Sequence, residues 1–225
     1  MSSRKEISRK EAIQILGVGA CSLCLPKSIL DLKEQDKGEE ANSYIAQKTW
    51  NSCGYAVMAM FISDRTNENI ENVYRNIEDY YEMIGKLDLP LGAPALTDYF
   101  EREKIESVEG NIKDKWQVDD LRDQLLQSGS IILNVTSNYG EVVSDRNNPN
   151  HWIILDRMLN INSRGYSLVR DPLHSKDIYK PLQKLKPFMI PNDNGSINVP
   201  VDILIPAIRR NYIYLERSSN YERFE

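Results

Sequence analysis

Apolar and polar residues are distributed so that the first half of the chain reads as helical. An uninterrupted apolar run, residues 56–61, predicts a buried helix whose first turn begins at or just after Cys53. Residues 67–86 repeat apolar side chains at helical spacing, which predicts a second helix that Gly85 ends. A third, shorter helix is predicted over residues 97–104.

The second half begins with one more helix and continues as strands. Leucines at helical spacing predict a helix over residues 118–127, with Gly129 as its stop. Runs rich in β-branched and aromatic residues predict strands over residues 130–136, 151–159, 166–171 and 211–216. The predicted fold class is therefore α+β, with an N-terminal helical half packed on a C-terminal antiparallel sheet.

A histidine and an aspartate occupy the open end of the hairpin that a turn at 162–165 would form. Side chains alternate between the two faces of a strand, which places His151 and Trp152 on opposite faces. A hairpin centred on residue 161 sets His151 nearly opposite Asp171, with both side chains on one face. A carboxylate so placed fixes the tautomer of an imidazole, although the register itself depends on the turn.

A single cysteine stands at the start of the first buried helix. Cys53 there lies at the positive end of the helix dipole, which favours the reactive thiolate over the thiol. Gln47, six positions earlier, carries a neutral amide that can donate to a developing oxyanion together with the backbone N–H of Cys53. Cys53 is therefore the candidate nucleophile and Gln47 the candidate oxyanion donor.

Four short motifs contain these residues: Gln47, Cys53-Gly54, His151-Trp152 and Asp171-Pro172. Their types and order resemble those of the bacterial papain-like peptidases related to the bacteriocin-leader-processing family. The resemblance covers most of the chain, from Tyr44 to Glu216. Two positions depart from the family pattern, since Tyr55 stands where proline commonly follows Cys-Gly, and Ser52 where an acidic residue often precedes the cysteine.

The resemblance implies a papain-like fold with its active site in the cleft between the two halves. It implies a cysteine peptidase in which Cys53 attacks a carbonyl and His151 protonates the leaving amine and then activates water. Asp171 would orient His151, Gln47 would stabilise the oxyanion, and no cofactor or metal is implied. The partner would be a peptide or protein substrate. The alternatives are a non-catalytic binding module with this fold, an amidase, and an acyl transferase of the transglutaminase type.

Charge and cysteine usage narrow the classes of partner. The chain carries 28 basic and 33 acidic residues, for a net charge of −5, and no basic stripe that would track a phosphate backbone. Nucleic acid is therefore not an expected partner. Two of the three cysteines, Cys21 and Cys24, lie near the N-terminus, which leaves Cys53 without a partner for a disulfide framework.

The N-terminus has the features of a targeting segment. Residues 1–25 combine a basic start with an apolar stretch from Ile15 to Leu25 that is too short to span a bilayer as a helix. The segment resembles both a twin-arginine signal and a lipoprotein signal in which Cys21 would carry the lipid. An exported or membrane-anchored protein is expected, and the alternative is an amphipathic N-terminal helix of a cytoplasmic protein.

The patterns divide the rest of the chain into a linker, a domain and a tail. Residues 26–43 are predicted to be the linker, and residues 44–217 the papain-like peptidase domain. Within that domain the helical half covers about 44–115 and the sheet half about 116–217. Residues 218–225 form the predicted tail.

If residues 1–20 are a signal, protein isolated from its native host should begin at or after Cys21. Mass spectrometry of the mature N-terminus measures this directly. A diacylglyceryl mass on Cys21 would select the lipoprotein version over ordinary cleavage. An intact Met1 in a cytosolic fraction would contradict export.

Overall fold

The structure of the chain is a computed structural model that describes five stretches of sequence. They are residues 43–111, 116–136, 150–161, 163–173 and 187–215. All of them fall within one compact unit. The predicted targeting segment, nearly all of the predicted linker and the predicted tail lie outside these stretches. None of the helices in the described stretches is long and apolar enough to cross a membrane.

The first half contains three helices: α1 (Cys53–Thr66), α2 (Ile70–Met83) and α3 (Ala93–Arg102). α1 begins at Cys53, as predicted, and every residue from Cys53 to Ser63 is buried. A helix buried all round needs no polar face, which explains why this sequence reads as an apolar run and not as an amphipathic pattern. The candidate nucleophile is therefore the first residue of the most buried helix.

Two helices begin at positions other than those predicted. α2 begins at Ile70 because the side chain of Asn69 caps it, accepting hydrogen bonds from two backbone N–H groups at 3.0 and 3.2 Å. α3 begins at Ala93 and not at Thr97, because Pro94 is accommodated in the first turn. A proline there removes no helical hydrogen bond, so it starts the helix where the sequence suggested a turn.

The strands are β1 (Ser107–Asn111), β2 (Ile131–Thr136), β3 (Asn150–Ile161), β4 (Arg164–Arg170), β5 (Ile190–Pro191), β6 (Ile197–Pro200) and β7 (Ile208–Leu215). In the described residues they form a seven-stranded sheet in the order β1-β7-β2-β3-β4-β6-β5. Each neighbouring pair is antiparallel, which confirms the α+β class. The short strands β1, β5 and β6 were not predicted, and β1 comes from the part of the sequence assigned to the helical half.

Two further helices complete the described fold, α4 (Val118–Ser128) and α5 (Val201–Ala207). α4 matches its prediction, and it stops because Gly129 adopts a φ of 82°, a value that favours glycine. α5 was not predicted from the sequence. It is short and contains Pro206, which makes it a poor match to any helical pattern.

Apolar side chains cover the sheet on both faces. One cluster lies between the sheet and α1 to α3, and it includes Trp152 and Ile154 of β3. The other lies on the side of α4 and α5, and it includes Ile153 and Leu155 of β3. This alternation confirms the predicted parity of β3. Each fully buried isoleucine or leucine stabilises the fold by roughly 1.5–3 kcal/mol, so burial on both faces holds β3 at the centre of the protein.

The hairpin of β3 and β4 differs from the predicted one at its turn and in its middle. β3 ends at Ile161 and β4 begins at Arg164, so two residues connect them, and Ser163 has a left-handed φ of 64°. A bulge lies between Leu155 and Arg157 and shifts the register again. The hairpin is therefore centred beyond residue 161, and its open end is displaced.

The displacement changes how His151 and Asp171 face each other. Ile154 pairs with Arg170, so the same register continued by one step sets Asp171 opposite Ile153. His151 is then a diagonal neighbour of Asp171, two residues away from the directly opposite position that the sequence suggested. A shift of two residues preserves the face of a strand, so the predicted common face is retained.

Candidate active site

His151 and Asp171 form a buried charged pair. Nε2 of His151 lies 2.7 Å from Oδ1 of Asp171, and the two residues are 3% and 0% exposed. The same carboxylate oxygen accepts a hydrogen bond from the backbone N–H of Leu173 at 2.8 Å. The aspartate is therefore fixed by its own turn, and it can in turn fix the orientation of the imidazole.

Cys53 is 7% exposed and begins α1. The residue before it, Ser52, does not cap the helix with its side chain. Its hydroxyl instead accepts a hydrogen bond from the backbone N–H of Thr49 at 2.9 Å and donates one to the Thr49 carbonyl at 3.0 Å. The first-turn N–H groups of α1 thus have no side-chain cap, which keeps the positive end of the helix dipole beside the sulfur.

The side chain of Cys53 lies close enough to His151 to interact with its imidazole. Since Nε2 contacts Asp171, an interaction of a ring nitrogen with the sulfur would be made through Nδ1. Burial disfavours the imidazolium, but the charge and hydrogen bond of Asp171, with a smaller contribution from Cys53, outweigh it and raise the pKa of His151 from 6.5 to about 10. At neutral pH the ring is therefore protonated and can act as a proton donor.

Gln47 is buried between the turn after β4 and the loop before α1. Its backbone N–H donates to the carbonyl of Pro172 at 3.0 Å, and its Nε2 donates to the carbonyl of Thr49 at 2.8 Å. The backbone of Thr49 also forms the two hydrogen bonds to the Ser52 hydroxyl, so Gln47 and Ser52 hold the same residue. Among the described residues Oε1 has no hydrogen-bond partner, and Nε2 has one acceptor for its two hydrogens. The second amide hydrogen of Nε2 has no acceptor among the described residues.

Tyr44 positions the site and was missed in the sequence. Its hydroxyl donates to the backbone carbonyl of Asp171 at 2.9 Å. Its ring lies against Gly195, where an added Cβ would come within 2.6 Å of it, and Gly195 has a φ of 87° that favours glycine. Nothing in the local sequence pairs these residues, because 127 positions separate the tyrosine from the aspartate.

The loop before α3 forms a wall beside the candidate nucleophile. A Cβ at Gly54 would approach Cβ of Leu91 to 3.1 Å, so the start of α1 and this loop are in close contact. Trp152, the neighbour of His151, donates from Nε1 to the carbonyl of Leu91 at 2.8 Å. Trp152 is therefore a packing residue, whereas Trp50 is 61% exposed and stands open to solvent.

The structure thus brings three of the four candidate residues together, with His151 bonded to Asp171 and Cys53 close to the same imidazole. Gln47 is placed at its edge, on the loop that leads into α1. His174, the other histidine, lies outside the described residues. Within the described stretches no group of three or more His, Cys, Asp or Glu side chains is placed to hold a metal ion.

Comparison with known proteins adds no family to this geometry. No protein-family model matches the chain, and no curated protein matches it. The interpretation of the site therefore depends on the contacts described above and on the resemblance of the short motifs.

Replacing Asp171 with asparagine should lower the pKa of His151 from about 10 toward 6.5, because the charge that stabilises the imidazolium is removed. The chain has two histidines, so NMR of histidine-labelled protein gives two ring signals, and a His174→Ala variant identifies them. A wild-type His151 that titrates at or below 6.5 would contradict the buried charged pair.

The same shift has a consequence for stability. A histidine whose pKa is raised on folding stabilises the folded state fully below its unfolded pKa of 6.5, and that contribution is lost as the pH rises toward about 10. The difference in unfolding free energy between wild type and Asp171→Asn, measured in urea, should therefore shrink between these two pH values.

Proposed function

We propose that the protein is a papain-like cysteine peptidase, which hydrolyses a peptide or amide bond through an acyl-enzyme at Cys53. The observation that carries the proposal is the buried pair of His151 and Asp171 close to Cys53, the first residue of α1. A buried charge destabilises the fold unless it is paired, and a cysteine with only a packing role does not require an imidazolium beside it. Nucleophilic catalysis requires this pairing.

In the first half of the reaction the Cys53 thiolate attacks the carbonyl carbon of the scissile bond. The negative charge that develops on the carbonyl oxygen is stabilised by the backbone N–H of Cys53 and by the amide of Gln47. His151 then gives its Nδ1 proton to the leaving nitrogen, the carbon–nitrogen bond breaks, and a thioester remains. Asp171 keeps its proton-free form and holds the ring in place throughout.

In the second half neutral His151 takes a proton from a water molecule, and the resulting hydroxide attacks the thioester. The carbon–sulfur bond breaks, the carboxylic acid product leaves, and the thiolate and imidazolium are restored. The same scheme with an amine in place of water describes a transglutaminase-type transferase. Measurement of amine incorporation against hydrolysis separates these two enzymes.

The rival from another class is a binding module that has kept the fold. It requires no reactivity at Cys53 and no free amide hydrogen on Gln47, whereas a peptidase requires both. The proposed location, exported or anchored through Cys21, depends on the N-terminal sequence alone. The proposed partner is a peptide or protein substrate.

Iodoacetamide should alkylate Cys53 faster than it alkylates a cysteine in a short unstructured peptide, because the helix N-terminus and the neighbouring imidazolium both favour attack by the sulfur. His151→Ala should slow the alkylation of Cys53, because the neighbouring cation is removed. His174→Ala is the matched control and should leave the rate unchanged. Mass spectrometry of the labelled peptide reports the rate.

Two outcomes would overturn the assignment. One is a wild-type alkylation rate no higher than that of the peptide cysteine, which would favour the binding module. The other is a rate that His174→Ala changes and His151→Ala does not. Cys53→Ser should abolish both labelling and hydrolysis of a mixed peptide library, and hydrolysis that survives in Cys53→Ser would place the chemistry elsewhere.

Gln47→Ala should lower turnover of a peptide substrate by roughly 10²- to 10³-fold, the usual cost of one oxyanion donor, with little effect on the Michaelis constant. The reason is that the amide acts on a charge that exists only in the transition state. Gln127→Ala, at an exposed position on α4, is the control. Unchanged turnover in Gln47→Ala would show that Gln47 is not the donor.

A further inference from the structure

Arg170 is a buried arginine that the proposed reaction does not use. It is 1% exposed, and its guanidinium forms a two-point contact with Asp156, Nε to Oδ2 and Nη2 to Oδ1, at 2.8 Å each. Nη1 donates to Oδ2 of Asp64 at 2.5 Å and to the backbone carbonyl of Ser43 at 3.0 Å. Burial disfavours the guanidinium charge, but the two carboxylates outweigh it, and the pKa of Arg170 is raised.

The carboxylate partners of Arg170 come from the same segments as the candidate catalytic residues. The three pairs are Cys53 and Asp64 on α1, His151 and Asp156 on β3, and Asp171 and Arg170 at the end of β4. Eleven residues separate the first pair, about three helical turns, so both side chains leave α1 on nearly the same side, ~16 Å apart. The arginine cluster, which consists of Arg170, Asp64 and Asp156, is therefore built from the same three elements as the candidate active site.

Close packing holds the start of α1 against Leu91, but apolar burial by itself gives the rest of the helix little directional preference along the sheet. Burial is non-directional, and α1 presents apolar side chains on every side from Cys53 to Ser63. A shift by one residue would move the helix by about 1.5 Å and rotate it by about 100°. Hydrogen bonds between a guanidinium and carboxylates are directional and charge-assisted, so they admit one arrangement.

We propose that Arg170 is a positioning residue for the candidate active site. By joining Asp64 of α1 to Asp156 of β3, it sets the position of α1 against the sheet and thereby holds Cys53 beside His151. Its bond to the carbonyl of Ser43 extends this effect to the segment that leads to Gln47. The catalytic consequence rests on the proposed function, whereas the proximity of Cys53 to His151 does not depend on whether the protein is a peptidase.

Arg170→Lys tests the proposal because lysine keeps the charge and loses the planar two-point contact. We expect turnover to fall roughly 10- to 100-fold with the Michaelis constant unchanged, since a displacement of about 1 Å at a reacting group has an effect of this size. We also expect slower alkylation of Cys53 and a His151 titration that moves toward lower pH by NMR. Wild-type values for all three would overturn the proposal.

Arg164→Lys is the matched control. Arg164 lies at the other end of β4, and its Nη2 contacts both carboxylate oxygens of Asp202 at 3.1 Å, on the exposed surface and away from α1. This variant should leave the three measurements unchanged. Leu204→Ala, which empties a fully buried site in the cluster beside α5, controls for lost stability. If it changes the three measurements as Arg170→Lys does, Arg170 has a structural role only.

Should Arg170→Lys fail to fold, a neutral version of the cluster provides the test. Arg170→Met combined with Asp64→Asn and Asp156→Asn removes all three charges together, a replacement that buried ion clusters often tolerate. Wild-type values in this folded variant would again overturn the proposal. The NMR titration of His151 needs no activity, so it decides the role of Arg170 even if wild-type protein hydrolyses nothing, an outcome that would count against the peptidase.

Discussion

The charge on His151 is the constraint on which the rest of the site depends. An imidazolium that is 3% exposed is stable only because Asp171 pairs with it, and Asp171 is itself held by Leu173 and Tyr44. The hydrogen bonds from Leu173 and Tyr44 thus fix the position of the aspartate in this ion pair. Cys53 lies close to this imidazole, whose orientation Asp171 has set.

α1 combines two requirements that usually conflict. Its apolar residues must be buried to stabilise the fold, whereas a nucleophile must be reached by a substrate. The structure meets both by burying the body of the helix and placing Cys53 at its first residue. The close contact of Gly54 with Leu91 shows how tightly that end is held, because a Cβ there would stand 3.1 Å from the leucine. A larger residue at position 54 would push the start of α1 away from Leu91 and the loop before α3.

Local patterns were enough to predict the parts of the site that depend on local structure. The start of α1 follows from an apolar run, and the common face of His151 and Asp171 follows from strand alternation, which survives a shift of two residues. The exact register did not follow, because it depends on a two-residue turn and on a bulge. Tyr44 and Arg170 were missed since their contacts join positions 127 and 106 residues apart. In the sequence Arg170 reads as an ordinary charged residue at a strand end.

Arg170 and Asp171 are consecutive, and this adjacency links the two buried clusters mechanically. Their Cα atoms are about 3.8 Å apart across a planar peptide, so a backbone displacement at Arg170 passes to Asp171 unless the dihedral angles between them absorb it. A change in the arginine cluster that moves the backbone of Arg170 would therefore move the carboxylate of Asp171 as well. The imidazole of His151 follows that carboxylate, and the sulfur of Cys53 is attached to the helix that carries Asp64. A displacement of α1 and a displacement at the end of β4 would therefore both alter the same distance, that between the ring nitrogen of His151 and the sulfur of Cys53.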